Sequence, residues 1–231
     1  MSDEPQKYAL IVGASRGLGL GLALEFLKRG WHVTATVRSA AGGTGLEKYH
    51  ESVTMDTLDI NNTAMIEAFI SRMSGRMFDV VVVNAGISGP QDKTAATVAV
   101  EDLAHLMMTN AVSPVRLAEY LLPFVRAETG VLALMSSILG SVELKTATAA
   151  SLYGASKAAL NSLTRSFFAG LPAPKPTVVT LHPGWVRTDM GGAGADIDVE
   201  TSVTGMADVL TAKTGAGDHE FLNYKGETLP W

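Results

Sequence analysis

Tyr8-Ala9-Leu10-Ile11-Val12-Gly13-Ala14-Ser15-Arg16-Gly17-Leu18-Gly19 decides how this chain is read. Five residues without an interior charge have the look of a strand buried on both faces, and they run straight into a glycine turn. Beyond the turn Leu20, Leu22, Ala23, Leu24, Phe26 and Leu27 continue as a helix that stops at Gly30. Trp31 to Val37 then makes a second strand. Strand, turn, helix and strand form one βαβ unit with a right-handed crossover.

The same grammar repeats outward from this unit. Ser52 to Leu58 predicts a third strand ending at Asp59, after a glycine-rich loop around Gly42, Gly43 and Gly45; Asn61 or Asn62 then caps a helix through Met65, Ile66, Phe69 and Ile70. Phe78 to Val83 is the clearest strand and breaks at Asn84-Ala85-Gly86, followed by a long helical region from about Val100 to Arg126. Val131 to Met135 ends in Ser136-Ser137, and the loop from Gly140 to about Ala150 leads into a helix carrying Tyr153, Leu160, Leu163, Phe167 and Phe168. A proline-rich connector from Leu171 to Pro176 precedes a strand at Val178 to Leu181. A loop from Arg187 to Asp196, a helix near Glu200 to Leu210 and a last strand near Glu220 to Leu222 follow. Strands that are continuous apolar runs and alternate with helices predict a doubly wound α/β fold, a mostly parallel seven-stranded sheet with helices on both faces. In such sheets ligands lie at the carboxyl ends of the strands, where all of these loops fall.

Composition narrows the chemistry. A chain of 231 residues, 47% hydrophobic and 18% charged, suits one soluble α/β domain over residues 1–231. A net charge of -5 without a basic block makes nucleic acid and anionic membrane poor partners, and favours a small-molecule substrate. The absence of cysteine excludes disulfides and thiol nucleophiles. Met1 to Lys7 lacks the cationic and apolar regions of a signal peptide and no apolar run reaches a spanning length, so a cytoplasmic location is expected. The five histidines show no metal spacing: His182 reads as a strand-end residue, the others as isolated positions, and no metal is expected.

Gly13-x-x-x-Gly17-x-Gly19 lets the backbone approach a phosphate, while the helix that starts there aims free N–H groups at it. The end of the second strand reads Thr36-Val37-Arg38-Ser39, without the carboxylate that NAD sites place near the ribose 2′-hydroxyl. Arg38, with Arg16 in the glycine turn, would instead attract a 2′-phosphate, which favours NADP(H). Tyr153 and Lys157 lie one helical turn apart and project from one face. An ammonium beside a phenol of ordinary pKa about 10 brings proton exchange closer to working pH.

Gly13-x-x-x-Gly17-x-Gly19, Asn84-Ala85-Gly86, Ser137, Tyr153-x-x-x-Lys157 and Pro183-Gly184 resemble, in order and approximate spacing, the motifs of the short-chain dehydrogenase/reductase family over nearly the whole chain. Within that family the nearest resemblance is to sniffer-like carbonyl reductases and C-factor-like proteins, through Ser136 to Ser141 and the segments Phe221 to Gly226 and Leu229-Pro230-Trp231. The resemblance implies a Rossmann-type domain with bound NADP(H) and an aldehyde or ketone substrate reduced to an alcohol. Tyr153 would be the acid/base, Lys157 would bind the nicotinamide ribose and lower the tyrosine pKa, Ser137 would hydrogen-bond the substrate oxygen, and Asn110 would hold a water linking Lys157 to solvent. Gly13, Ser15, Arg16, Gly17, Leu18, Gly19, Arg38, Asp59, Ile60, Asn84, Ala85, Gly86, Pro183, Gly184, Val186 and Thr188 would border the cofactor. Val12 stands where the family often has a threonine, losing a turn hydrogen bond. Trp185, Leu139, Val142 and Met190 are candidates for an apolar substrate wall. Two other functions stay open: a C-factor-like signalling protein with incidental turnover, and an NAD-dependent alcohol dehydrogenase. A homodimer or homotetramer paired through the Asn110 and Tyr153 helices is the expected assembly.

Overall fold

The computed structural model describes residues 5–39, 44–144 and 150–231. The glycines at 42 and 43 and the middle of the loop before Tyr153, residues 145–149, lie outside the described residues. Seven strands form one sheet: β1 (Tyr8–Val12), β2 (His32–Val37), β3 (Val53–Thr57), β4 (Val80–Val83), β5 (Val131–Met135), β6 (Thr177–His182) and β7 (His219–Asn223). Every pair is parallel and the order is β3-β2-β1-β4-β5-β6-β7.

The central strands β1, β4, β5 and β6 bury both of their faces, which is why they read as largely apolar runs. Ala9 and Ile11 of β1 and Val80 and Val82 of β4 face one core, with Leu22 and Phe26 of helix α1 (Gly17–Lys28) and Met206 and Leu210 of α6 (Val199–Ala212). Leu10, Val12, Val81 and Val83 face the other, with Phe69 of α2 (Thr63–Arg72), Leu117 of α4 (Ser113–Leu121) and Leu160 of α5 (Ser151–Ala169). Two faces covered by helices leave only the ends of the strands for function. Strand order reverses between β1 and β4, so the first crossovers leave that junction in opposite directions and open a crevice at its carboxyl end.

The expected long helix from Val100 to Arg126 is not one helix. It is α3 (Val100–Met107), a π-helical turn over Met108–Val112, α4, and a 3-10 turn over Leu122–Phe124. Pro114 supplies the physical reason: its nitrogen cannot donate to the preceding turn, and proline is tolerated where a helix begins. The wide turn places Asn110 at 0% exposure on the inner side. At the start of α2 it is Asn62 that caps, its Oδ1 accepting from the Met65 amide at 3.1 Å. Asn61 is used elsewhere: it donates to Thr109 Oγ1 at 2.8 Å and accepts from Ser113 Oγ at 2.7 Å. No helix among the described residues is long and apolar enough to cross a membrane.

Candidate active site

A cleft of about 280 Å³ opens at the β1/β4 junction. Its floor is the glycine turn. Gly13 has φ +86 and Gly17 φ +54, and a Cβ on Gly19 would overlap the Gly13 carbonyl. Thr36 makes good the turn hydrogen bond that Val12 does not provide, since its Oγ1 accepts from the Gly13 amide at 3.2 Å and its carbonyl from the Ala14 amide at 2.8 Å. Asn84 Nδ2 donates to the Gly13 carbonyl at 3.0 Å and ties the end of β4 to the turn. Helix α1 has neither a side-chain cap nor an acidic residue in its first turn, so its leading amides keep their donors free for an anion.

Of the expected binding residues, Gly13, Ser15, Arg16, Gly17, Leu18, Arg38, Asp59, Ile60, Asn84, Ala85, Gly86, Tyr153, Lys157, Pro183 and Thr188 line this cleft. Gly19 lies beneath the turn, where it permits close packing. Gly184 and Val186 lie behind the lining: a Cβ on Gly184 would meet Ile197 and Tyr224, and Val186 is buried and bridged to Ile197. Of the wall candidates only Met190 borders the cleft. Trp185, 54% exposed, braces its own loop by donating from Nε1 to the Gly191 carbonyl at 2.9 Å. Arg16 also departs from expectation. Instead of standing with Arg38, its Nη1 meets Asp189 Oδ2 at 2.7 Å, on the side of β6.

At the inner end of the cleft α5 presents Tyr153 and Lys157 toward the end of β5. The Tyr153 phenol hydrogen-bonds Ser137, whose Oγ also accepts from the Leu139 amide at 3.2 Å and so has its own proton to give to the phenol oxygen. Lys157, 3% exposed, donates from Nζ to the Met135 carbonyl at 2.8 Å and lies 5.8 Å from the centre of the tyrosine ring. Burial pushes the phenol up to about 12, against which the Ser137 bond acts, and burial pushes the Lys157 ammonium down to about 8. Burial therefore outweighs the Ser137 hydrogen bond, and the phenol holds its proton.

The hydrogen bonds of the Asn110 side chain go to neighbours of Lys157. Asn110 Oδ1 accepts from the Ile87 amide and its Nδ2 donates to the Ile87 carbonyl, both at 2.8 Å, and Nδ2 also lies 3.1 Å from Ser156 Oγ. The side chain is a clip that holds the loop following Gly86. A Cβ on Gly86 would lie 3.3 Å from Asn110 Oδ1 and 3.5 Å from Lys157 Nζ. Ser156, which donates to the Tyr153 carbonyl at 2.7 Å, was not singled out from the sequence, although its place inside the Tyr153-to-Lys157 turn is a signal. His105, Thr109, Asn61 and Asp189 were also missed as lining residues, because helix α3 and the β6–α6 loop reach the cleft only in the folded chain. His182 agrees with its reading as a strand-end residue; burial pushes it down to about 4.

The comparisons with known proteins follow the same lines. A family model described as short chain dehydrogenase matches residues 7–196. The chain belongs to the short-chain dehydrogenases. Among its curated relatives, C-signal of Myxococcus xanthus is 36% identical over 169 residues, 72% of this chain and 100% of that protein. Among solved structures, a carbonyl reductase from Pseudomonas aeruginosa PAO1 in complex with NADP is 41% identical with a TM-score of 0.90, covering 98% of this chain and 100% of that one. Carbonyl reductase Sniffer of D. melanogaster is 31% identical with a TM-score of 0.88, again covering 98% and 100%. Further solved neighbours also carry NADP or NADPH. The sniffer-like and C-factor-like resemblance of the sequence is thus borne out, as is the seven-stranded parallel fold.

Proposed function

We propose that this short-chain dehydrogenase is an NADPH-dependent reductase of an aldehyde or ketone, acting reversibly. The observation that carries the reading is the convergence of Ser137, Tyr153 and Lys157 at the inner end of a glycine-floored cleft. The cofactor fits what is there: a tight turn in which added Cβ atoms at Gly13 and Gly19 would collide with Ala85 and with the Gly13 carbonyl, uncapped α1 amides, and Arg38 where an NAD site places a carboxylate. Gly13, Ser15, Gly17 and Leu18 would hold the diphosphate, Arg38 the 2′-phosphate, Asp59 and Ile60 the adenine, and Pro183 and Thr188 the nicotinamide end. When bound, the nicotinamide supplies or accepts a hydride.

The chain's own groups handle the proton. A phenol held at about 12 stays protonated at neutral pH and can give that proton to a carbonyl oxygen as negative charge grows there. Ser137 shares the load as a second hydroxyl donor to that oxygen. Lys157, at about 8, is still largely an ammonium at neutral pH and can keep the Tyr153 position supplied with a proton. Asn110 serves by holding Ile87, and with it the loop beside Gly86, in place. Copies of the chain would pair through α4 and α5, where Leu163 is 38% exposed; Leu160 belongs to the core.

A titration with NADPH and separately with NADH, followed by loss of nicotinamide absorbance on aldehydes, ketones and diketones, tests the reading. Tight NADPH binding with turnover supports it, whereas tighter NADH binding would favour an NAD-dependent alcohol dehydrogenase. The match to the whole of C-signal gives a second reading, a signalling protein that binds a dinucleotide with incidental turnover. Binding without turnover on any carbonyl would favour that one.

A further inference from the structure

The lips of the cleft are joined by one ion pair. Arg16 belongs to the glycine turn after β1, Asp189 to the loop after β6, and both line the cleft. Their Nη1 to Oδ2 distance is 2.7 Å, although 173 positions separate them in sequence. The lips also come close beside the pair, where a Cβ added to Gly17 would lie 3.6 Å from Thr188 Cγ2.

We propose that Arg16 and Asp189 form a clasp across the cleft mouth, and that Asp189 is a residue that retains the dinucleotide; the proposal rests on the dinucleotide-binding reading of the cleft. Each lip is braced on its own side. Thr188 Oγ1 accepts from the Gly191 amide at 3.1 Å, Arg187 Nη1 donates to the Ala195 carbonyl at 3.0 Å, and Val186 bridges Ile197. The glycine turn is fixed by Thr36 and Asn84. What can move without disturbing either brace is the pair itself, whose side chains are 71% and 77% exposed. Two hydrated groups in contact open and close readily, which suits a clasp better than a wall.

Nucleotide release decides the matter. NADPH and NADH are each pre-bound to the full chain and displaced by excess of the non-fluorescent oxidised nucleotide, with release followed by nicotinamide fluorescence, for wild type, Asp189→Asn, Arg16→Gln and the double variant. The clasp requires both single variants to release both nucleotides about 2- to 5-fold faster, with the double variant no faster than either single one. Raising the salt should speed release from wild type toward that of Asp189→Asn and leave the variant nearly unchanged. The opposite pattern overturns the proposal: if Arg16→Gln speeds only NADPH and Asp189→Asn slows it, Arg16 serves the 2′-phosphate and Asp189 merely competes for it. Unchanged release with tight binding overturns the clasp alone. Failure of wild type to bind either nucleotide overturns the dinucleotide reading, and the clasp with it. Thermal denaturation of the variants checks that the braces on each lip are intact.

Discussion

The two ends of the sheet carry cavities of opposite character. At the amino end lies the larger, about 460 Å³, bordered by Tyr8, His32, Thr34, Arg76 and Arg126. The cleft at the carboxyl end is about 280 Å³. At the amino end the polar groups answer one another: Asp79 accepts from the Tyr8 amide and from Arg126 Nε, both at 2.8 Å, while Arg76 Nη1 reaches Thr34 Oγ1 at 3.4 Å. Helices α1 and α2 end toward that side and present carbonyls, which disfavour an anion. At the carboxyl end the donors of α1 remain uncapped, and a lysine and a tyrosine are buried far from their ordinary pKa values. Volume does not mark the site; unspent donors and strained protonation do.

Tyr153→Phe should separate the two ends most sharply. It removes one hydroxyl from the carboxyl-end cleft, and kcat on the best carbonyl should fall about 10²- to 10⁴-fold, with NADPH affinity changed by no more than a few-fold. Near wild-type turnover would mean that the proton comes from elsewhere. Gly19→Ala comes next. Its methyl group has no room beside the Gly13 carbonyl, so the turn must shift, costing about 1–3 kcal/mol in a denaturant titration. NADPH affinity should drop roughly tenfold or more, because the backbone amides move away from the phosphates. Wild-type affinity in this variant would show that the turn is not the binding floor.

Stability against pH reads the buried pair directly. Lys157 is at about 8 when folded and 10.5 when unfolded, so between those values the unfolded chain binds more protons and stability rises with pH. Tyr153 runs the other way: it is at about 12 when folded and 10.0 when unfolded, and stability falls as pH climbs from 10 toward 12. Lys157→Met should abolish the rise above pH 8 and stabilise the protein at neutral pH by on the order of 1–2 kcal/mol. A rise that persists in the variant would place the responsible group elsewhere.

Most of the fold was legible because its signal is local. Val80 to Val83 and Val131 to Met135 are apolar throughout since both of their faces are buried, and the glycine turn sits directly after β1. The breaks in the Val100 to Arg126 region were marked only by Pro114 and Pro123, weak cues inside an otherwise helical pattern. In the site, the spacing of Tyr153 and Lys157 gave their common face but not their pKa values, which depend on tertiary burial. The partners of Asn110 and Arg16 were illegible for the same reason. Ile87 and Asp189 come from other parts of the chain, and no periodicity announces such pairs.

Substitutions at the amino end should touch stability and nothing else. Arg126→Gln removes one partner of the half-buried Asp79 and should cost about 1 kcal/mol, with kcat and NADPH affinity unchanged.

Arg76→Gln should have the smallest effect, and it tests the comparison most directly. Arg76 is the one cation bordering the larger cavity that has no carboxylate partner among the described residues, so it is where an anion would bind if volume and charge sufficed. Its guanidinium is exposed and makes one long hydrogen bond, so its loss should change stability by no more than about 0.5 kcal/mol. NADPH affinity and the salt dependence of binding should match wild type, since the charges that meet the cofactor lie at the other end of the strands. A loss of NADPH affinity comparable to that of Gly19→Ala would break the comparison: the amino end would then hold part of the nucleotide, or Arg76 would act on β1 strongly enough to move Gly13. Measuring Arg76→Gln with Thr34→Val would tell these apart, because a direct contact predicts a changed salt slope whereas an effect relayed through β1 predicts changed affinity at constant slope.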